Sequence, residues 1–474
     1  MCTSIIAGKR ATAGDLVLLS RNEDFPSNNC WNKYMVFRKE PEYANNSLAV
    51  NGLWTLGNGL LVPIPKTRYR YNATPDAQGY AEARMPIGDH YYFEERGINE
   101  KNVAISATNS LTINDKANEA DPLLTEKGVA ESIIPTLILP QVDNALHGVK
   151  LLGYYVETFG ASEVNGVLFG DQNDAWYFEI GSAHHWIAVR VPEDKYLVIA
   201  NGMRVHDIDL NDKENVLCSE GLFEFVVKNK LLAEPDSKRF NFAMAFGIPG
   251  DPYNTDRIWL AQKMLTPSKK QSSRKVQYPL FLQANKKITL ADVMDVLRAN
   301  YKDTELEGKA QRAIGVDYTA ESHIITLDAS MPEPLKGIIW QSISTPLGAP
   351  YMPFYSIMDD IPSSYTKGAI NYEPDSSYWA FKGLFVLADS LKETKYKQSL
   401  EELWYEFEVQ SLLEVQALNK TLKSLYLNDA HGAINLAKRY STGIACQAIE
   451  MANEQRNAIM TDITATQVEP IPRS

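Results

Sequence analysis

The chain has 474 residues, of which 45% are hydrophobic and 22% are charged, an ordinary profile for a globular protein. Its formal net charge of -12 disfavours binding to nucleic acid or to an anionic membrane surface, so neither is expected as a partner. The four cysteines are too few for a disulfide framework. No two of them are spaced as C-x-x-C, so the sequence indicates neither a zinc site nor a redox pair.

The sequence shows no recognisable export or membrane signal. No stretch reaches the roughly 20 apolar residues of a membrane span. The first residues also lack a basic segment followed by an apolar run. We therefore expect a cytoplasmic protein, in a reducing compartment where a free thiol survives. A homo-oligomer is left open.

The chain begins with a predicted β-hairpin. Residues 2–7 and 15–20 are apolar and rich in β-branched side chains, and a seven-residue segment with glycine at both ends joins them. Three further segments are predicted strands: 54–65, 68–72 and 102–109.

The middle of the chain mixes helices and strands. Apolar residues at three- and four-residue intervals predict helices at 128–139 and 142–159. Four strands joined by short polar turns follow, and they predict an antiparallel meander: 166–170, 175–180, 186–191 and 196–200. Later helices are predicted at 220–229, 256–264 and 290–301, and later strands at 323–327 and 337–344. This order favours an α+β fold with sheets covered by helical layers.

The C-terminal part of the chain is different in character. From about residue 378 to 457 the pattern is helical, and proline is absent between Pro374 and Pro470. We expect a catalytic body at 2–377 and a mainly helical segment at 378–474 that packs on the same domain. A separate coiled coil for binding a partner is the less favoured alternative.

Cys2 is a candidate nucleophile. Its small side chain allows methionine aminopeptidase to remove Met1, which would leave a thiol and a free α-amine on one residue. A free α-amine has a pKa of about 7.7–8.0 and a free cysteine thiol of about 8.5, so the amine can serve as the base. A catalytic histidine is then not required. On position alone, an incidental buried cysteine at the start of a strand is the more frequent explanation.

The end of the predicted hairpin strengthens this candidate. The second strand continues into Arg-Asn-Glu-Asp at 21–24, and in a hairpin this end returns beside the start of the first strand. Arg21 and Asp24 are therefore predicted to lie near Cys2. A guanidinium favours a thiolate, and a carboxylate can hold an ammonium or a thiol proton. An Arg-x-x-Asp pair is common on surfaces, and only its register with Cys2 makes it specific.

This pattern resembles the N-terminal-nucleophile cysteine hydrolases: penicillin V acylases, bile salt hydrolases, acid ceramidases and the dipeptidase A group. Residues 97–101 (Gly-Ile-Asn-Glu-Lys) are similar to a family segment whose asparagine, here Asn99, gives a backbone N–H to the oxyanion. Residues 196–204 resemble the strand that ends in the family's catalytic asparagine, here Asn201. The sequence Asp-Arg-Ile-Trp-Leu resembles the helix start that carries a second arginine, here Arg257.

Within this superfamily the sequence is most similar to the dipeptidase A group. The similarity rests on the opening Cys-Thr-Ser, on residues 103–109 (Val-Ala-Ile-Ser-Ala-Thr-Asn) and on the overall length. It implies a four-layer αββα sandwich of two antiparallel sheets between helices, with a helical C-terminal extension. It also implies hydrolysis of dipeptides through a thioester on Cys2, without a metal or another cofactor.

A dipeptide has two charged ends, and each needs a partner in a closed site. From the sequence, Arg21 or Arg257 would bind the carboxylate, and Asp24 the ammonium. Arg204 is a third candidate for substrate binding.

Two other functions stay open. An amidase of N-acyl substrates, like penicillin V acylase, would use the same nucleophile on another substrate class. A non-catalytic, secernin-like protein would keep the fold and act through interactions.

Other chemically reactive residues are weaker candidates. His184 and His185 are adjacent in a predicted strand region and face opposite ways, so they cannot chelate one metal from one face. A Cys–His dyad that uses an isolated histidine is disfavoured. The other cysteines are interpreted as ordinary small apolar residues: Cys30, Cys218 and Cys446.

Overall fold

Two large antiparallel sheets and one small sheet form within the described part of the computed structural model. The described residues are 1–25, 32–39, 49–50, 52–56, 58–77, 94–107, 111–368, 371–391 and 393–466. The strands are β1 (Cys2–Ala7), β2 (Val17–Asp24), β3 (Val36–Arg38), β4 (Ala49–Val50), β5 (Leu53–Thr55), β6 (Leu61–Pro63), β7 (Tyr71–Ala73), β8 (Arg96–Asn99), β9 (Ala104–Ala107), β10 (Gly166–Gly170), β11 (Ala175–Ile180), β12 (Trp186–Arg190), β13 (Tyr196–Ile199), β14 (Val216–Cys218), β15 (Thr319–Leu327), β16 (Gly337–Ile343) and β17 (Met352–Tyr355).

The first sheet has the strand order β13-β1-β2-β15-β16-β17, and the second has the order β14-β12-β11-β10-β9-β8-β7-β3. The small sheet consists of β4, β5 and β6. The helices are α1 (Asp115–Ala120), α2 (Ile134–Ile138), α3 (Ala145–Phe159), α4 (Leu222–Lys228), α5 (Phe242–Phe246), α6 (Pro252–Leu265), α7 (Leu290–Leu297), α8 (Ser377–Ser390), α9 (Thr394–Tyr426) and α10 (Ala430–Thr466). Short 3₁₀ turns lie at Lys9–Ala11, Glu131–Ile133, Leu139–Gln141, Glu333–Leu335 and Ser363–Tyr365.

Both faces of the first sheet are buried. Because side chains alternate along a strand, Ile6 of β1 points to the space between the two large sheets, where it shares a core with Leu168 of β10. Ile5 points the other way and shares a core with Trp259 of α6 and Val296 of α7. Helices therefore cover the outer face of this sheet.

The second sheet is covered on its outer face in the same way. Phe169 of β10 and Phe178 of β11 belong to a core with Ile138 of α2 and Leu152 of α3. The order of layers is helix, sheet, sheet, helix, which confirms the predicted αββα sandwich.

The predicted N-terminal hairpin is confirmed. β1 pairs with β2 in a register that sets Cys2 opposite Glu23 and Ala7 opposite Leu18. β2 begins two residues later than predicted and ends four residues later, at Asp24, because it lies between β1 and β15 and pairs with both. A strand with a neighbour on each side can hydrogen-bond all its backbone N–H and C=O groups, even where its side chains are charged.

The predicted four-strand meander is only partly correct. β10, β11 and β12 pair in sequence order in the second sheet. β13 instead crosses to the first sheet, where Ser4 of β1 pairs with Ile199. Strand periodicity cannot distinguish these two pairings, because both sheets bury apolar residues on both faces.

The segment predicted as one helix at 128–139 is broken. Two short 3₁₀ turns flank α2, which has only five residues. Pro135 and Pro140 explain the break, because proline lacks the N–H that a continuous helix needs.

The C-terminal part is helical, as predicted. Phe381 of α8 and Trp404 of α9 are buried in one core with Met352 and Phe354 of β17. The tail therefore packs directly on the edge of the first sheet. The boundary between residues 377 and 378 stays a prediction.

Candidate functional site

Cys2 lies buried at the start of β1, with 1% of its surface exposed. Its Sγ accepts a hydrogen bond from Nη2 of Arg21 at 3.1 Å. Its backbone N–H donates to Oδ1 of Asn201 at 3.0 Å, and its carbonyl oxygen accepts from Nη1 of Arg257 at 2.5 Å. Three of the residues predicted from the sequence thus contact Cys2 directly.

The guanidinium of Arg21 is surrounded by carboxylates. Its Nη2 donates to Oε2 of Glu95 and lies 3.5 Å from Oε1 of Glu131, while Nη1 lies 3.5 Å from Oε2 of Glu23. Burial alone lowers the pKa of Arg21, but the neighbouring Cys2 and the three carboxylates raise it well above its usual value. Arg21 is therefore a permanent cation beside the sulfur.

A buried lysine extends this charged cluster. Nζ of Lys33 lies 2.6 Å from Oε1 of Glu23 and 2.5 Å from Oδ1 of Asp76. Sequence analysis did not find Glu95, Glu131 or this lysine, because they are remote from Cys2 in the chain and have no local motif. Only the paired register of β1 and β2 could have suggested Glu23, which stands opposite Cys2.

Asp24 lies beside Met1, but its carboxylate is engaged elsewhere. Oδ2 accepts from Nη2 of Arg312 at 2.5 Å, and Oδ1 accepts from the hydroxyl of Thr319 at 2.6 Å. The backbone of Asp24 pairs with Met1 instead: its N–H donates to the Met1 carbonyl at 2.7 Å, and its carbonyl accepts from the Met1 ammonium. The predicted proximity of Asp24 to the N-terminus is thus present, although its carboxylate does not face the sulfur of Cys2.

Arg257 joins several parts of the site. It belongs to α6, whose first turn is capped by the side chain of Asp251. Its guanidinium also donates to Thr3, Asn201 and Asn254 at 2.9–3.0 Å. Burial, and then the neighbouring Arg312, lower the pKa of Arg257 to about 10, so it remains charged at neutral pH.

The side chain of Asn201 is held in one orientation. Its Oδ1 accepts from both the Cys2 N–H and Nη2 of Arg257, and its backbone N–H donates to Asn254 at 2.9 Å. Two donors on Oδ1 fix which end of the amide is oxygen. The amide group of Asn201 is therefore fixed beside the nitrogen of Cys2.

The structure does not bring Asn99 to Cys2. Asn99 ends β8, about 13 Å along the strand from Glu95, which lies beside Arg21, at roughly 3.3 Å per residue. Its backbone N–H donates to the Val103 carbonyl at 3.0 Å, and its side chain donates to the carbonyls of Leu139 and Val142. This geometry corrects the expected oxyanion role: Asn99 organises a turn at the opposite end of the strand.

The direction of the β8–β9 hairpin explains the correction. β9 runs back from that turn toward the end of the sheet where Cys2 lies, and the N–H of Ala107 donates to the Glu95 carbonyl at 2.8 Å. Asn109, at the end of the strand predicted at 102–109, lies outside the described residues.

Arg204 is a structural residue. It is buried, and its guanidinium donates to the carbonyls of Val198, Tyr278 and Pro279 at 2.8–3.1 Å. These three bonds use the side chain to join β13 to the loop before residue 282. The expectation that Arg204 binds substrate is therefore not supported by its position.

The histidines and remaining cysteines do not form a dyad with Cys2 in the described structure. His323 stands opposite Arg21 in the β2–β15 pairing, but its ring contacts Glu321 at 2.9 Å and Ser106 at 3.0 Å. Cys218 and Cys446 are free thiols away from Cys2. Cys30 lies outside the described residues.

His184 and His185 also have separate partners. Nδ1 of His184 contacts Asp121 at 2.9 Å, and Nδ1 of His185 contacts Ser219 at 2.9 Å. Within the described ranges, no group of three or more histidine, cysteine, aspartate or glutamate side chains is arranged to hold a metal ion. In the same ranges, no helix is long and apolar enough to cross a membrane.

Comparison with known proteins gives this site a context. The model of Peptidase family C69 matches residues 1–405. A probable dipeptidase of Latilactobacillus sakei is 34% identical over 405 residues, covering 82% of this chain and 81% of that protein. A probable dipeptidase A of Streptococcus pyogenes serotype M3 (strain SSI-1) is 31% identical, covering 85% of this chain and 86% of the relative.

A third relative extends over most of the helical tail. A probable dipeptidase B of Streptococcus pyogenes serotype M1 is 30% identical over 465 residues, covering 93% of this chain and 89% of that protein. The resemblance and the hydrolase class predicted from the sequence are confirmed by these matches. The chain belongs to peptidase family C69.

Proposed function

We propose that the protein is a cysteine dipeptidase that hydrolyses the peptide bond of dipeptides after cleavage of the bond between Met1 and Cys2. The names of its relatives support the substrate class. The observation that carries the proposal is the contact of the Cys2 sulfur with Nη2 of Arg21 at 3.1 Å, at the residue whose amine is released when Met1 is removed.

The reaction needs two displacements at the scissile carbonyl. In the first, the Cys2 sulfur forms a bond to the carbonyl carbon, and the α-amine of Cys2 takes the thiol proton. The carbon–nitrogen bond then breaks, and the same ammonium gives its proton to the leaving amine. In the second, water attacks the thioester carbonyl while the Cys2 amine takes a proton from it. The carbon–sulfur bond then breaks, the ammonium returns the proton to the sulfur, and the acyl half leaves as a free amino acid.

The surrounding residues have distinct roles in this scheme. Arg21 favours the thiolate, because a cation beside a thiol stabilises its charged form. Asn201 directs its amide nitrogen at the oxyanion that forms during each displacement. Arg257 positions Asn201 and the Cys2 carbonyl, and it does so through hydrogen bonds to both.

Met1 blocks this chemistry while it remains attached. The nitrogen of Cys2 is then an amide, which cannot accept a proton at neutral pH. The Met1 ammonium also donates to the carbonyl of Asp24 instead of contacting the sulfur. Removal of Met1 is therefore the step that creates the base.

Intact mass measurement combined with thiol labelling tests the proposal. The active preparation should lack Met1, and a substoichiometric thiol reagent should label Cys2. A panel of dipeptides should release free amino acids, and Cys2→Ala should abolish this release while the matched variant Cys218→Ala keeps it. Retention of Met1 in the active preparation, or full activity of Cys2→Ala, contradicts the mechanism.

The same panel separates the other functions. Release of the acyl group from penicillin V without hydrolysis of any dipeptide would indicate an amidase of N-acyl substrates. Identical behaviour of wild type and Cys2→Ala in every assay would indicate a non-catalytic interaction protein.

The cytoplasm is the proposed location, because a catalytic thiol needs a reducing compartment. Dipeptides are the proposed partners.

A further inference from the structure

Met1 is half-buried beside the nitrogen of Cys2, in a space that we call the Met1 pocket. It extends β1 by one residue, since its carbonyl and ammonium pair with the backbone N–H and carbonyl of Asp24. The hydroxyl of Tyr253 contacts the Met1 sulfur at 2.5 Å. When Met1 leaves, these backbone and hydroxyl groups lose a partner at once, and the space directly before the Cys2 amine opens.

Arg312 forms one wall of this pocket. Its Nη1 lies 3.3 Å from the same Tyr253 hydroxyl that contacts Met1, and its Nη2 is bound to Asp24. Its guanidinium also lies over the rings of Tyr253 and Tyr318, at 5.6 and 5.7 Å from their centroids. Only 8% of Arg312 is exposed. This cation is therefore held in place by one carboxylate and two aromatic rings.

Charged side chains are distributed unevenly around Cys2. On the Met1 side, Arg312 is paired with Asp24, and Arg257 forms no ion pair in the described part of the chain. On the sulfur side, three carboxylates surround the guanidinium of Arg21, and Lys33, the other cation there, is matched by Asp76. Burial raises the pKa of Glu23 to about 8 and that of Glu131 well above its usual value, so the sulfur side carries no negative excess at neutral pH. Within the described residues, the positive excess thus lies on the Met1 side.

The mechanism sets the direction in which a dipeptide must lie. The Cys2 amine has to protonate the leaving nitrogen, so the leaving residue must lie within hydrogen-bond reach of that amine. The amine faces the pocket that Met1 occupied. The leaving residue of a dipeptide is the one that carries the free carboxylate, which matches the positive excess on that side.

We infer that the pocket vacated by Met1 is the subsite for the C-terminal residue of the dipeptide, with Arg312 as the anchor of its carboxylate. The inference rests on the proposed dipeptidase function. The backbone of Asp24 would pair with the substrate as it now pairs with Met1, in the manner of an added strand residue. Tyr253 would contact the side chain of the leaving residue. Met1 therefore both masks the base and occupies the substrate subsite.

Selectivity for a free carboxylate tests the role of Arg312. We compare kcat/KM for one dipeptide with that for the same dipeptide as its C-terminal amide. The wild type should prefer the free acid, and Arg312→Gln should lower kcat/KM for the acid about ten- to a hundredfold, mainly through KM, because a hydrogen bond to a charged group is lost. The rate on the amide should change far less. Arg312→Lys should restore part of the preference.

A matched control removes general effects on stability. Arg298 is a half-buried arginine that is also bound to a carboxylate, that of Glu408, and it lies over the ring of Tyr351. Arg298→Gln should leave the ratio of acid to amide rates unchanged. The inference would be overturned if Arg312→Gln lowered kcat/KM equally for the free acid and the amide, or if the wild type showed no preference for the free acid. Neither result would contradict dipeptide hydrolysis itself. Absence of any dipeptide hydrolysis in the wild type would instead contradict the proposed function.

A binding experiment tests the pocket without altering Arg312. Cys2→Ala is prepared with and without Met1, and binding of an intact dipeptide is measured by calorimetry. Binding should be confined to the form that lacks Met1. Equal binding to the two forms would show that the Met1 pocket is not the subsite.

Discussion

The guanidinium of Arg21 donates to the sulfur of Cys2 at 3.1 Å, although the two residues are 19 positions apart in the chain. The hairpin of β1 and β2 produces this contact. Arg21 is opposite Ser4 in the pairing, a step of two residues along the strand from Glu23, which is opposite Cys2. The side chain spans that step and ends among three carboxylates, which hold it against the sulfur.

Arg21→Gln should slow alkylation of Cys2. Removal of the cation that donates to the sulfur leaves the thiolate less stabilised, so the labelling rate at pH 7 should fall about tenfold or more. Dipeptide hydrolysis should fall in parallel. The rate is measured by mass spectrometry with iodoacetamide. Arg21→Lys, which keeps the positive charge, should lower both the labelling rate and the rate of hydrolysis by less. An unchanged labelling rate in Arg21→Gln would contradict the assigned role.

Whether a contact in this site could be predicted from the sequence depends on how far apart its two residues are in the chain. The contact of Cys2 with Arg21 was predicted because a hairpin is local, and turn length fixes which residues meet. Asn201 and Arg257 followed from the family resemblance, since no local rule brings residues so distant to position 2.

Other features could not be predicted, for physical reasons. Glu95, Glu131 and Arg312 reach the site through pairings between remote segments, and buried charges of this kind leave no periodic pattern. The crossing of β13 from one sheet to the other was missed because a strand buried on both faces has the same composition in either sheet. Asn99 was misplaced because a motif gives residue types without the direction of the strand.

Arg204→Met should destabilise the fold and leave substrate binding intact. Three carbonyl groups lose a charged donor, and this should lower the free energy of unfolding by about 3 kcal/mol. Urea denaturation measures the loss, and KM for a dipeptide should remain within about twofold of the wild type at a temperature where the variant is folded. A large rise in KM without loss of stability would restore Arg204 as a substrate-binding residue.

Acid should destabilise the protein through His323. Burial lowers the pKa of its imidazole below 6.5, with Arg96 and Arg21 adding to the shift and Glu321 opposing it. The folded state therefore keeps His323 neutral while the unfolded state takes up a proton below pH 6.5. Stability should fall as the pH drops from 6.5 toward the lowered pKa, by at most about 1.4 kcal/mol per pH unit.

Urea denaturation at pH 7.5, 6.5 and 5.5 measures this dependence. Between pH 6.5 and 5.5, His323→Gln should lose less stability than the wild type. The exposed His431 provides the control, since His431→Gln should follow the wild type. The same slope in all three proteins would show that His323 does not contribute to the acid sensitivity.

The helical tail should unfold together with the body. Trp404 of α9 is 3% exposed and packs in the core that includes β17, whereas the adjacent Tyr405 is 69% exposed. Trp404→Ala should lower the free energy of unfolding by about 3–5 kcal/mol, and Tyr405→Ala should change it little. Tail fluorescence and dipeptide hydrolysis should be lost in a single urea transition. Two separate transitions would indicate that 378–474 is an independent unit.

Asn201 and Asn99 should respond differently to the same substitution. Asn201 accepts from the Cys2 N–H, and its proposed role is to donate to the oxyanion. Asn201→Ala should therefore lower kcat about 10²–10³-fold, the usual loss when one oxyanion donor is removed. Among the described contacts, the side chain of Asn99 bonds only within its own turn and to two carbonyls of the neighbouring loop. Asn99→Ala should therefore lower stability and leave kcat nearly unchanged.

Steady-state kinetics and urea denaturation on the same preparations separate the two effects. A further comparison is Asn201→Asp, which keeps the acceptor for the Cys2 N–H and for Arg257 but removes the amide donor. If Asn201 acts through its amide nitrogen, Asn201→Asp should be about as slow as Asn201→Ala. If it only positions Cys2, Asn201→Asp should retain most of the rate, because the acceptor that holds the Cys2 nitrogen is still present.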